Sequence, residues 1–184
     1  VDRMREAIGI RTVFVATMPP SVPGIRSQMS LTAEFERAGG RFLKGDAVVD
    51  AEFDENGHVK SVGTQNFGNI RLYADNFVLA SGSFFSKGLI ATPDRIIEPV
   101  FGVDLSYPEG RDQWFDRNFW NRQNYISYGA KVSKFLHASI EGKPIANLYA
   151  IGSLLAGSNT LYEGCGGGIA LITALAAADS ILEK

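Results

Sequence analysis

Residues 147–182 read NLYAIGSLLAGSNTLYEGCGGGIALITALAAADSIL, and this stretch decides the fold class. Asn147–Gly152 predicts a strand, because a short apolar and aromatic run ends at a glycine. A polar loop, Ser153–Glu163, follows, and then Gly164-Cys165-Gly166-Gly167-Gly168. From Ile169 the pattern turns helical, with Leu171, Leu175, Ala178 and Leu182 on one stripe and alanines filling much of the rest. A helix apolar almost all round is expected to be buried. Strand, glycine turn and buried helix together predict an α/β fold, with α+β as the alternative.

The glycine turn is the strongest chemical signal. Glycines at 164, 166, 167 and 168 let the backbone approach a ligand without Cβ clashes. The first turn of the helix offers free N–H groups and the positive end of its dipole, which together favour an anion such as a phosphate. The alternative is a tight turn packed on a sheet with no ligand. No Lys-Ser/Thr follows the glycines, so this is not a Walker A loop, and the spacing does not fit G-x-G-x-x-G. Cys165 sits where a helix terminus lowers a thiol pKa, although a small residue among glycines also suits a tight turn.

Upstream, Asn76–Ala80 (NFVLA) predicts a strand buried on both faces, ending at Ser81-Gly82. Open α/β sheets place ligand-contacting turns at the carboxyl ends of their strands, which makes Ser81 and Gly82 candidates beside the ordinary strand-end reading. Between residues 40 and 75 the chain is β-rich. Strands are expected over Phe42–Lys44, Ala47–Phe53, His58–Gly63 and Asn69–Tyr73, with Asp54-Glu55-Asn56-Gly57 as a hairpin turn. Arg11–Thr17 predicts a strand stopped at Pro19-Pro20, and Pro23-Gly24 extends that loop. Ser27–Ala38 predicts a helix closed by Gly39-Gly40. Residues 84–124 are irregular, with one short helix expected around Asp112–Phe119 and a cluster of aromatics, Trp114, Phe115, Phe119 and Trp120.

Composition narrows the function classes. The 18 basic and 20 acidic residues are dispersed, so no basic nucleic-acid face is present. One cysteine excludes an internal disulfide, and with only two histidines no zinc site is expected. No apolar run approaches the roughly 20 residues of a membrane span. The start, Val1-Asp2-Arg3-Met4, has no signal-peptide character and no initiator Met, so a piece of a longer protein is expected. Lys87 and Arg26 follow loops and are candidates for holding an anion, against the alternative of solvated surface charge. His58 is expected to be exposed, and the sequence shows no partner for His137.

The blocks YADNFVLASGSFFSKGLI (73–90), IIEPVFGVDL (96–105) and residues 147–182 resemble, in order, the C-terminal half of the B subunits of anaerobic glycerol-3-phosphate dehydrogenases. The glycine block is also similar to the last flavin-contacting motif of the two-dinucleotide-binding-domain flavoproteins, such as succinate dehydrogenase and fumarate reductase flavoprotein subunits. The resemblance implies a subunit of a respiratory enzyme that oxidises sn-glycerol 3-phosphate to dihydroxyacetone phosphate. Electrons would pass through flavin to an iron–sulfur subunit and quinone. It implies FMN, with FAD as the alternative. The implied partners are an FAD-containing A subunit and a membrane-associated iron–sulfur C subunit, at a cytoplasmic location peripheral to the inner membrane. The implied cofactor contacts are Ser81, Gly82, Gly152, Gly164, Gly166, Gly167, Gly168 and Ile169. It names no catalytic residue.

This sequence departs from that family pattern in one respect. Such flavoproteins open with a strand, a G-x-G-x-x-G turn and a helix, and none occurs here. The expectation is therefore a partial Rossmann-like flavin-binding fold. Residues 1–184 would form a single partial domain, 40–75 a β-rich inserted section, and 76–90 and 147–184 the flavin-binding part, with the isolated piece inactive. Two alternatives remain: a non-catalytic assembly module anchored by Trp114–Trp120, and a flavin oxidoreductase with another substrate.

Overall fold

The computed structural model describes residues 2–11 and 21–183. It divides into two compact units, Val1–Gly45 and Asp46–Lys184.

The first unit holds α1 (Asp2–Ile8) and α2 (Val22–Arg37). Ser21 caps α2, its hydroxyl accepting the Gly24 N–H at 3.2 Å. The helix therefore starts well before the expected Ser27. Pro23 lies in its first turn, where a missing N–H costs nothing and the fixed φ is already helical. Gly39, at φ +90°, and Gly40, whose N–H reaches Phe35 O, close it as the sequence predicts. The expected strand at Phe42–Lys44 does not form: its apolar residues Phe42 and Leu43 are exposed, and no ladder partner among the described residues pairs with them. The expected strand at Arg11–Thr17 lies, except for Arg11, outside the described residues.

The second unit is mixed α/β with small sheets. Strands β1 (Val48–Phe53), β2 (Val59–Thr64) and β3 (Arg71–Tyr73) form an antiparallel sheet in that order. The turn between β1 and β2 is the expected one. Asp54 accepts the N–H groups of Asn56 and His58 through its carboxylate, and Gly57 takes φ +79°. Those bonds, led by the one from His58, hold the Asp54 carboxyl below its ordinary value. His58 is exposed, as expected.

Strand β4 (Phe77–Leu79) is shorter than expected, and Val78 is 44% exposed, so the strand is not buried on both faces. Two short antiparallel pairs follow: β5 (Ile90–Ala91) with β6 (Ile96–Ile97), and, across a long connection, β7 (Leu105–Ser106) with β8 (Gly129–Ala130). Between them a buried carboxylate organises a turn. Glu98, 3% exposed, accepts the N–H groups of Val100, Phe101 and Gly102 at 3.0, 2.7 and 2.9 Å. The helix expected around Asp112–Phe119 is only a single 3₁₀ turn at Arg111–Gln113.

Strands β9 (His137–Ile140) and β10 (Lys143–Ala150) complete a second sheet with order β4-β10-β9. β10 begins four residues before the expected Asn147. It tolerates Pro144 because that residue precedes Leu148, where pairing with β4 starts. His137 is not without a partner: its Nδ1 lies 3.1 Å from Ile145 O and its ring packs 4.4 Å from Tyr149. Asn147 ties the two sheets. Its side chain accepts the Val59 N–H at 2.9 Å and donates to Val59 O at 2.8 Å. The core gathers around Leu148, Ala150, Leu154 and Ala138, all fully buried.

The expected polar loop Ser153–Glu163 contains a 3₁₀ turn, Gly152–Leu154, and the short helix α3 (Thr160–Glu163). Helix α4 (Gly166–Leu182) starts three residues before the expected Ile169, so the glycines form its first turn. It is not buried all round. Ala177 is its only buried residue, and Leu171, Ile172, Leu175 and Leu182 are 59–82% exposed. Nothing among the described residues covers that face.

Candidate functional site

The site is built where β4 and β10 end together. They run parallel with Leu148 opposite Phe77 and Ala150 opposite Leu79, and the Ile151 N–H continues the ladder to Leu79 O. Equal register places Ser81-Gly82 beside Gly152-Ser153. Gly82 has φ +78°, and a methyl on it would lie 2.8 Å from Ser86 Oγ and 3.5 Å from Ser153 Oγ. Gly88 packs directly on this turn, since a methyl there would fall 2.0 Å from Gly82 O.

Gly152 links the strand end to α4. It is buried at φ +69°, and its N–H donates to Thr173 Oγ1 at 2.9 Å. The same hydroxyl donates to Ile169 O at 2.7 Å, so one side chain satisfies a buried backbone donor and back-bonds its own helix. A methyl on Gly152 would come 4.0 Å from Ala170 Cα, which shows how closely the helix backbone approaches.

The glycine turn precedes this lock. Asn159, 2% exposed, caps α3 by accepting the Tyr162 N–H, and Gly164 ends α3 at φ +65°. Cys165 takes the N-cap position of α4 without a side-chain cap bond. Gly166 sits against Thr160, whereas a methyl on Gly167 or Gly168 would meet nothing within 4 Å among the described residues beyond the helix's own backbone. The first turn of a 17-residue helix thus presents glycine backbone to open space.

Ser81-Gly82 thus lies beside Gly152-Ser153, and Gly152 is tied through Thr173 to the helix whose first turn is Gly166–Ile169. Ser81 also has a second surrounding. Ser81 Oγ is buried with no hydrogen-bond partner among the described residues, and Ser81 lines an apolar cavity of about 610 Å³ with Phe77, Lys87 and Phe101. Gly152 and Gly164–Gly168 are not among the residues lining it. Lys87 reaches that cavity from a left-handed backbone, φ +64°, whereas Arg26 is exposed on α2 in the first unit.

The expectation of a lowered Cys165 pKa is overturned. Desolvation raises it, and Glu163 adds to the shift through the Cys165 Sγ contact at 3.5 Å and through its charge. Thr173, Ser153 and Gly88 carry no signal in the sequence motifs. Thr173 alone leaves a trace, as the lone hydroxyl within Ile169–Ala178.

The chain belongs to the FAD binding domain family, which residues 2–169 match. Its sequence is also similar to curated proteins named as the B subunit of anaerobic glycerol-3-phosphate dehydrogenase. It is 41% identical to the one from Vibrio vulnificus (strain CMCP6) over 179 residues, covering 96% of this chain and 41% of that protein. The Pectobacterium atrosepticum protein is 39% identical over 184 residues, covering 100% and 43%. The Haemophilus influenzae (strain 86-028NP) protein is 41% identical over 186 residues, covering 98% and 43%. The chain spans about two fifths of the length of these relatives. Among the described residues, no helix is long and apolar enough to cross a membrane.

Proposed function

We propose that the chain is the part of a flavoprotein dehydrogenase subunit that closes over one end of a flavin. Residues 76–90 and 147–184 contribute to a partial Rossmann-like site. The observation that carries the reading is the convergence of two parallel strand ends on a helix whose first turn is glycine, locked by Gly152 N–H to Thr173 Oγ1.

The residues present fit such a group. Gly167 and Gly168 leave their flank of the helix terminus open to a phosphate or a flat ring. Gly152 and Gly82 are buried at positive φ, so each lets its turn pack closely where a larger residue would be strained. The buried Ser81 hydroxyl has a hydrogen bond to give. A flavin accepts a hydride equivalent and releases electrons singly, which is chemistry no side chain supplies. In this account the helix N–H groups hold the anion, the glycines admit it, and Thr173 fixes the helix against the sheet.

The family is named for FAD, while FMN remains the cofactor the sequence blocks suggest. The relatives' names support sn-glycerol 3-phosphate as the substrate, dihydroxyacetone phosphate as the product, and assembly with other subunits. An FAD-containing subunit and a membrane-associated iron–sulfur subunit leading to quinone complete that picture. The test is anaerobic addition of sn-glycerol 3-phosphate to the assembled full-length complex. Bleaching of the visible flavin band supports the assignment. A stable band with this substrate, bleached by dithionite, replaces it with a flavoprotein of other substrate.

A further inference from the structure

We propose that Arg122 is a positioning residue for the flavin site: it holds the Glu163 carboxylate beside the N-cap of α4 and balances its charge, so that the helix terminus can receive an anion. The inference rests on the flavoprotein reading for the identity of that anion. Glu163 is the last residue of α3 and precedes Gly164. Its two oxygens face different groups. Oε1 lies 3.8 Å from Arg122 Nη2, and Oε2 accepts from Cys165 Sγ at 3.5 Å. Cys165 is the N-cap of α4, so the carboxylate sits against the residue from which that helix departs. A bare carboxylate there repels an incoming anion, whereas one paired with a guanidinium does so far less.

Arg122 comes from a distant part of the chain and is put in place by a braced loop. Gln123 Oε1 accepts the Asp116 N–H at 3.0 Å, and Gln123 Nε2 donates to Asn118 O at 3.1 Å and Asn121 O at 3.2 Å. The 3₁₀ turn that follows, Asn124–Ser127, is tied to the segment before α3, with Ser127 O accepting the Gly157 N–H at 2.9 Å. The Arg122 guanidinium then lies 4.8 Å from the Tyr162 ring centroid, a cation–π distance. Ring and carboxylate are neighbours in sequence, and a planar guanidinium can stack on one while pairing with the other.

Stability does not account for the pairing. The Arg122 and Glu163 side chains are 52% and 45% exposed, and ion pairs that open to water add little to folding. The consequence is local, in the charge at the helix terminus. Cys165 reports that charge: desolvation raises its pKa, and the Glu163 hydrogen bond and charge add to the shift.

The test is a cycle of Arg122→Gln, Glu163→Gln and the double variant in the full-length protein, stripped of flavin and titrated with FAD and with FMN by fluorescence. At low ionic strength Arg122→Gln is expected to bind about three- to tenfold more weakly than wild type, and the double variant should return to within about twofold. In about 1 M sodium chloride, where the Debye length is about 3 Å, the gap between Arg122→Gln and wild type should close. The urea midpoint of Arg122→Gln should stay within about 0.5 M of wild type. A double variant as weak as Arg122→Gln, or a loss that persists in salt, makes Arg122 a structural brace only and overturns the proposal. Alkylation of the Cys165 peptide by iodoacetamide, followed by mass spectrometry without flavin, separates the two readings. Arg122→Gln should slow it about twofold or more, and the double variant should react faster than wild type. A wild type that binds neither flavin refutes the flavin reading, and the alkylation cycle then decides the charge balance alone. A wild type that binds flavin no better than Arg122→Gln refutes this inference alone.

Discussion

Thr173 offers the sharpest test of how the site is held together. Replacing it with valine keeps the shape and removes the hydroxyl that accepts the Gly152 N–H. Gly152 is buried, so water does not replace that partner. A buried donor left unpaired costs about 1–3 kcal/mol. With a urea m-value of about 2 kcal/mol per molar, the unfolding midpoint should fall by roughly 0.5–1.5 M. Thr173→Ser keeps the hydroxyl and loses one half-buried methyl, worth at most about 0.8 kcal/mol, so its midpoint should move by less than about 0.4 M. The assay is urea unfolding followed by far-UV circular dichroism. A valine variant that unfolds with the wild type, or a serine variant that falls as far as valine, refutes the lock between strand end and helix.

Four further outcomes follow from other contacts of the fold. Asn147→Ala strips the Val59 N–H and C=O of their side-chain partners and should cost about 2–4 kcal/mol in urea unfolding. Gly129→Ala places a methyl 2.1 Å from Leu154 O, a backbone atom, and should cost about 3 kcal/mol or prevent folding; Gly167→Ala, in open helical space, should stabilise by about 0.5–1 kcal/mol in the same assay. Cys165, with its pKa raised above the usual thiol value, should react slowly with iodoacetamide near neutrality. Its alkylation midpoint should lie above that of the urea-unfolded chain, and Glu163→Gln should lower it. Because the folded value is the higher one, its stability contribution is complete below the unfolded thiol pKa. It is lost as the pH rises through the folded one.

What the sequence makes legible is local. The Asp54–Gly57 turn carries its own hydrogen-bond donors, carboxylate and glycine, so its hairpin is visible without tertiary knowledge. The glycine block before an apolar helix is equally self-contained. The helix starts earlier than expected because glycines signal a turn, yet the first helical turn needs no intrahelical N–H bonds and tolerates them. Pro144 hides the beginning of β10, since only the fold reveals that β4 pairs further along. Glu98 orders residues 98–102 by bonding backbone N–H groups, which leaves no periodicity to detect. An apolar pattern on α4 signals a face that wants cover, but it does not name the covering element. The lock through Thr173 joins residues far apart in sequence, and one hydroxyl is all that marks it.

The most direct test of the flavin assignment is the visible spectrum of the purified full-length protein, wild type against Gly167→Asp. A side chain at Gly167 meets nothing within 4 Å, and an acidic residue in the first turn favours the helix by about 0.3–1 kcal/mol. The fold should therefore survive, while a carboxylate now faces the flavin's anionic group. The account predicts a yellow wild type and a folded variant that has lost its flavin band. Equal flavin retention in both proteins would contradict the placement of the cofactor at this helix terminus.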